Sequence, residues 1–179
     1  MLSNKYSLKE IFTEKQILDR VKKIAFDISN KYFDDPPIFI STLKGSFIFA
    51  ADLIRATNLD SEIDFIEVAS YSGTSSKGSI TLKKDISINI KNRNIIIVED
   101  IIDTGITIKF LKEKLEKLEP KSIAIVTLLM KTQVQNLDFK IDWVGFEIAP
   151  EFVVGYGLDF DQKLRNLRSI YILGGNESE

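Results

Sequence analysis

The run Ile95-Ile96-Ile97-Val98 is a continuous apolar strand. It passes straight into Glu99-Asp100-Ile101-Ile102-Asp103-Thr104-Gly105-Ile106-Thr107 and then into a helical stripe of Ile108, Leu111, Leu115 and Leu118. A strand with no polar alternation is covered on both faces, the condition of a parallel sheet between helices. Ligands of such sheets bind outside the carboxyl ends of the strands, where the N–H groups opening the next helix favour an anion. Thr104, Gly105 and Thr107 offer small hydroxyls and an unobstructed backbone to a phosphate. Glu99 and Asp100 can only accept, so they suit sugar hydroxyls or a hard cation. The segment reads as a site for a phosphorylated sugar. D-x-G-x-T alone would equally describe a helix cap, with Asp103 as the capping residue.

The flanking chain repeats the strand-then-helix pattern. Thr13-Glu14-Lys15-Gln16 has capping-box spacing, and Ile17, Val21, Ile24 and Ile28 mark one face of a helix that runs to about Asn30. Asp34-Asp35-Pro36-Pro37 ends it. Ile38-Phe39-Ile40 starts a buried strand, Lys44-Gly45-Ser46 turns it, and Phe47 to Ala56 reads as a helix. Ile63 to Val68 alternates as a strand, residues 70–80 are too polar to pack and suggest a flap, and Ile80-Thr81-Leu82 resumes strand character. Ser122 to Met130 is a further buried strand. On the central helix, Lys109/Glu113 and Lys112/Glu116 have the spacing of solvent-side ion pairs. Strands and helices alternating at this spacing predict a parallel sheet with right-handed crossovers, whose ends carry Lys44, Glu99 to Asp103, and Lys131.

With 179 residues and 44% hydrophobic content, the chain is long enough for one sizeable core, so a single domain over 1–179 is expected. The net charge of −2 provides no general pull toward nucleic acid. No long uncharged apolar run or signal-like start is present, which predicts no membrane partner and a soluble cytoplasmic protein. His and Cys are both absent. That removes His-based acid–base chemistry, thiol catalysis and the common zinc sites, leaving carboxylates, Lys, Tyr and a hard metal.

The Val-Glu-Asp-Ile-Ile-Asp-Thr-Gly wording of residues 98–105 resembles the phosphoribosyl pyrophosphate motif of type I phosphoribosyltransferases, in the hypoxanthine-guanine branch. The resemblance spans about Ile38 to Leu167, with its motifs in the expected order. It implies the α/β fold of that family: a central parallel sheet flanked by helices, with a small C-terminal hood over residues 142–173. It also implies Mg²⁺ as cofactor, phosphoribosyl pyrophosphate and a 6-oxopurine as substrates, and a homodimer or homotetramer.

Carried over residue by residue, the resemblance makes Asp103 the general base. Glu99, Asp100, Asp103, Thr104, Gly105, Ile106 and Thr107 become the ribose and phosphate site. Leu43-Lys44-Gly45-Ser46 resembles the pyrophosphate loop, often entered by a cis peptide, and Arg165 matches a second pyrophosphate cation. Ile101, Lys131, Phe152, Val153 and Asp159 would meet the purine, with Lys131 donating to its 6-oxo group and Phe152 stacking on its ring. Glu99, Asp100 and Asp159 would serve the metal side, and Ser70-Tyr71 the flap. If Glu99 and Asp100 are to play equal roles, the strand must already be ending there, because successive strand residues face opposite sides. Ala149-Pro150-Glu151 departs from the Pro-Asp found before the hood Phe in many relatives. Trp143 is assigned to packing.

Two other classes are weighed. A nucleic-acid-binding regulator could keep this fold as an effector sensor, but Tyr71, Asp103, Lys131 and the acidic balance argue against it. A P-loop hydrolase is discarded because no G-x-x-x-x-G-K-[ST] occurs.

Overall fold

Ile95, Ile96, Ile97 and Val98 are completely buried, as a strand covered on both faces must be. The computed structural model describes residues 6–70, 80–134 and 137–174. In chain order these form β1 (Ser7–Phe12), α1 (Glu14–Lys31), β2 (Ile38–Leu43), α2 (Phe47–Ala56), β3 (Glu62–Ser70), β4 (Ile80–Lys84), β5 (Asn94–Ile102), α3 (Ile106–Glu116), β6 (Ser122–Lys131), β7 (Trp143–Ile148), β8 (Val153–Val154) and β9 (Ile170–Gly174). The capping box forms at Thr13: Gln16 N–H donates to the Thr13 hydroxyl at 3.3 Å, and Thr13 N–H donates to Gln16 Oε1 at 2.9 Å. Among the described residues no helix is long and apolar enough to cross a membrane.

The main sheet has the order β4-β3-β2-β5-β6-β7, parallel except for β4, which runs antiparallel to β3 at one edge. Strand alternation sorts its residues into two cores. Phe39, Ile96, Val98, Ala124 and Val126 pack with Ile17, Val21, Ile24 and Ile28 of α1 and Phe49 and Leu53 of α2. On the other face, Ile38, Ile40, Ile95, Ile97 and Ile125 pack with Ile108, Leu111 and Leu115 of α3. Leu118 leaves the expected stripe: α3 ends at Glu116, and the side chain is exposed. Lys112 pairs with Glu116 as spaced, whereas Lys109 turns to Asp138 at 2.6 Å and not to Glu113.

The hood differs from expectation at both ends. Its sheet has the order β1-β9-β8, so Ser7–Phe12, a segment with no local sign of such a role, supplies a strand. It pairs antiparallel with β9, Ser7 opposite Gly174 and Phe12 opposite Ile170. β7 instead belongs to the main sheet, with Val126 opposite Trp143 and Lys131 opposite Ile148, so the hood begins after Ile148 and not at Asp142. β7 pairs the outer side of β6 and is itself the edge strand of the sheet. Trp143 packs against the α1 core, with the Lys31 ammonium 4.9 Å from its ring centroid. Of the expected flap, Ser70 and Ile80 end β3 and begin β4, while Tyr71 and residues 72–79 lie outside the described residues.

Candidate active site

β5 does not end at Val98. Its ladder with β6 continues through Glu99↔Thr127, Ile101↔Leu129 and Ile102↔Met130. Its facing, however, slips. Ile96 and Val98 share one core, and strict alternation would send Ile101 to the other, yet Ile101 packs with the Ile96 core and Ile102 with the Ile95 core. β6 slips at the same level, where the consecutive residues Leu128 and Leu129 both face the Ile96 core. Across on β7, a Cβ at Gly145 would strike the Leu128 carbonyl.

The slip falls just after the two acids, so they still leave β5 on opposite faces: Glu99 lines a pocket with Ile102 and Ile108 and meets Thr42 of β2, whereas Asp100 reaches the turn after β2. The Thr42 hydroxyl lies between the Val98 carbonyl, at 2.8 Å, and the Glu99 carboxylate. The Asp100 carboxylate occupies the space a Cβ on Gly45 would need. Burial pushes the Glu99 carboxyl up, the neighbouring Asp100 charge adds to this, and the Thr42 hydrogen bond opposes it. Burial likewise raises Asp100, against the pull of the Ile101 N–H at 3.0 Å and the Arg165 guanidinium, with Asp159 adding to the rise.

Asp159 is engaged by its own loop. Arg165 Nη2 meets its Oδ1 at 2.8 Å, and Gln162 N–H donates to its Oδ2 at 2.8 Å. Among the described residues no three His, Asp or Glu side chains converge into a set that could hold a metal ion. Glu99, buried, and Asp100, half-buried, fit a hard cation as a mutually repelling pair, provided that phosphate, sugar or water oxygens complete its shell.

The turn after β2 enters through a cis Leu43–Lys44 peptide. Beneath it Ser46 Oγ lies 2.7 Å from Ser41 Oγ and donates to the Thr42 carbonyl at 2.5 Å. The hood loop packs directly on this turn: Gly157, at φ +101°, has no room for a Cβ because the Gly45 carbonyl is there. Arg165 Nη1 donates to the Gly157 carbonyl at 2.8 Å. Gln162 Oε1 accepts from Lys44 Nζ and from Arg165 Nη2, each at 3.3 Å. Lys44, Gly45 and Arg165 are thus brought together, and Gln162, which the motif reading passed over, lies between the two cations. The spacing Asp159-x-x-Gln162-x-x-Arg165 was its only sequence sign.

Beyond β5, a pocket is lined by Glu99, Ile101, Ile102, Asp103, Thr104, Gly105, Thr107 and Ile108. Gly105, at φ +80°, caps α3 without any side-chain hydrogen bond. Its αL conformation suits glycine, and the positive end of the helix points into the pocket. Asp103 is therefore not the cap. Its Oδ2 meets Lys131 Nζ at 3.0 Å and its Oδ1 accepts from Gln133 Nε2 at 3.1 Å. The Ile106 N–H contacts Thr104 Oγ1 at 3.4 Å.

On the hood side Phe152 is 55% exposed, and its ring meets Phe160 edge-on with centroids 6.0 Å apart. Val153 is buried and pairs with Ile172.

A mostly parallel sheet between helices that gathers Glu99, Asp100, Lys44 and a glycine-capped helix end at its strand ends, with Arg165 brought up from the hood, is an α/β scaffold for a phosphorylated ligand. Residues 7–161 match the phosphoribosyl transferase domain, and the chain belongs to that family. It is 42% identical over 166 residues to the hypoxanthine-guanine phosphoribosyltransferase of Bacillus subtilis (strain 168), covering 92% of each. To the hypoxanthine phosphoribosyltransferase of Buchnera aphidicola subsp. Schizaphis graminum it is 42% identical, over 91% of this chain and 94% of the relative. A crystal structure of a hypoxanthine phosphoribosyltransferase from Staphylococcus aureus superposes with a TM-score of 0.90 at 35% identity, covering 97% of this chain and 94% of the other. The expected type I phosphoribosyltransferase fold is the fold observed.

Proposed function

We propose that this chain is a purine salvage transferase that converts hypoxanthine and phosphoribosyl pyrophosphate into IMP and pyrophosphate, and guanine into GMP. The observation that carries the reading is the Asp103–Lys131 pair at the ends of β5 and β6, a carboxylate and an ammonium 3.0 Å apart. A 6-oxopurine offers that pair a carbonyl acceptor and an imidazole N–H. The relatives' names support the same chemistry, and none of them supports a nucleic-acid-binding regulator.

In this reading the C1′–O bond to pyrophosphate breaks with its electron pair leaving on pyrophosphate. Purine N9 bonds to C1′, and the proton on N7 passes to the Asp103 carboxylate. Lys131 donates to the 6-oxo group, which adenine replaces with an amino group that cannot accept in its place. Lys44, the Gly45 backbone and Arg165 hold the leaving pyrophosphate, while Thr104 to Thr107 and the α3 N-terminus hold the 5′-phosphate. Glu99 and Asp100 accept from the ribose hydroxyls. When bound on the Glu99–Asp100 side, Mg²⁺ supplies the positive charge that lets these acids approach a pyrophosphate. A cytoplasmic location and a homodimeric or homotetrameric assembly complete the proposal.

A product assay with hypoxanthine, guanine, xanthine and adenine, each with phosphoribosyl pyrophosphate and Mg²⁺, tests the reading. Nucleotide is expected from hypoxanthine and guanine. Preference for adenine, or no product from any base, would overturn it.

A further inference from the structure

We propose that Gln133, which no motif singles out, is the positioning residue that keeps the Asp103 carboxylate facing the purine during the reaction. The inference rests on the reading of Asp103 as base and Lys131 as the 6-oxo donor.

The β5–β6 register opposes Ile102 to Met130, and one step further along it Asp103 meets Lys131. Lys131 also opens a turn closed by the Val134 N–H donating to the Lys131 carbonyl at 3.0 Å, and the Thr132 N–H ties that turn to the Ile148 carbonyl at 2.9 Å. The turn carries Gln133 round to the opposite oxygen of the same carboxylate, so one short segment grips Asp103 from both sides: Lys131 on Oδ2 and Gln133 on Oδ1. Both oxygens are thereby occupied before any base arrives.

A carboxylate held in this way cannot take a proton on Oδ2 while an ammonium sits there. A 6-oxo group competes for Lys131, and when the ammonium turns to it, Oδ2 opens toward the purine imidazole edge. Asp103 stands at the start of a turn and is half exposed, and it makes no capping bond to α3. After Lys131 leaves, the Gln133 amide is the remaining side-chain contact among the described residues that orients it. An amide suits this task. It donates without a formal charge, so it holds the carboxylate without opposing proton uptake as strongly as a second cation would.

The test is a kinetic cycle in the intact enzyme with hypoxanthine, phosphoribosyl pyrophosphate and Mg²⁺. Gln133→Leu keeps the bulk and removes the donor, Gln133→Asn keeps an uncharged amide donor at shorter reach, and Asp103→Asn removes the base. Because the lost bond is to a charged acceptor, Gln133→Leu is expected to lower kcat about tenfold with an unchanged KM for phosphoribosyl pyrophosphate. Gln133→Asn is expected to retain more of kcat than Gln133→Leu. Adding Gln133→Leu to Asp103→Asn is expected to cost nothing further, since a residue that acts through Asp103 has no effect once the base is gone.

A wild-type kcat in Gln133→Leu, a loss carried by KM alone, or a double variant whose losses multiply would each overturn the positioning role and leave the functional reading standing. If the wild-type chain makes no nucleotide from hypoxanthine, the functional reading falls and takes this inference with it. Gln133 is exposed and lies outside the strands, so the variants are expected to melt with the wild type. A lowered melting temperature that tracks the loss of kcat would make the residue structural and would also overturn the role.

Discussion

Lys131 does two things that a single sequence position rarely shows. Its ammonium pairs with Asp103 at 3.0 Å, and its own side chain is only 13% exposed while Asp103 stays half exposed. In the proposed reading, removing the Lys would delete a charged donor to the purine carbonyl, a loss of about 1.5–3 kcal/mol, or roughly one to two decades in kcat/KM. Lys131→Ala is therefore expected to lose that much with hypoxanthine and to keep its KM for phosphoribosyl pyrophosphate, since its ammonium pairs with Asp103, whereas Lys44 and Arg165 share Gln162. Steady-state kinetics with both substrates varied decides it. A variant that loses affinity for phosphoribosyl pyrophosphate alone would move Lys131 out of the purine site.

At the scale of elements, the contact that matters is between the turn after β2 and the hood loop, far apart in the chain. Gly157 makes it possible: an added Cβ would meet the Gly45 carbonyl, and φ at this position is +101°. Gly157→Ala therefore imposes a steric and a conformational penalty together, about 1–3 kcal/mol in sum. Because Lys44 and Arg165 approach each other across the same contact, a raised KM for phosphoribosyl pyrophosphate is expected with the lost stability. Thr13→Ala is the control. It breaks the capping box of α1, at about 1 kcal/mol, and is expected to shift the urea midpoint without moving that KM. Equal effects of the two variants on KM would show that general loosening, and not the loop contact, sets the affinity.

For the whole molecule, Asp64 ties β3 to the chain that returns from β4. Burial would raise its carboxyl, but hydrogen bonds from Ser87 N–H, Phe65 N–H, the Ser87 hydroxyl and Ile88 N–H outweigh this and hold it down to about 2. The folded state thus binds fewer protons than the unfolded chain between that value and the ordinary 3.8. The sign follows: the stabilisation is complete above the unfolded value and is lost as pH falls through it toward 2. Its size is about 2 kcal/mol. The stability gap between wild type and Asp64→Asn in urea is expected to narrow by that amount between pH 5 and pH 2, and a constant gap would refute the linkage. Chelation probes the active site as a unit. Stripping divalent cations is expected to abolish product formation and to weaken phosphoribosyl pyrophosphate binding measured by calorimetry, because Glu99 and Asp100 repel a pyrophosphate unaided. Undiminished activity after rigorous chelation would exclude the proposed role of Mg²⁺.

Local patterns were enough for the layers and for most of the site's raw material. The apolar run Ile95 to Val98, the stripe of α1 behind the Thr13 box, and Lys44 and Lys131 at strand ends are short-range signals, read from residues that neighbour one another along the chain. They do not carry the pairing of strands remote in sequence. Ser7–Phe12 shows nothing of its partner at Ile170–Gly174, and Trp143–Ile148 looks like part of the hood until its ladder with β6 is seen. The slip in facing just after Asp100 is shared by adjacent strands, so no single segment encodes it. Gln133 and Gln162 are unremarkable as letters. They become part of the site only because register and loop packing bring an amide to Asp103 and another between Lys44 and Arg165. Sequence alone therefore determined which chemistry was available and on which strand ends it lay. Hydrogen-bond ladders and close packing between distant segments, which have no local signature, decided how those groups face one another.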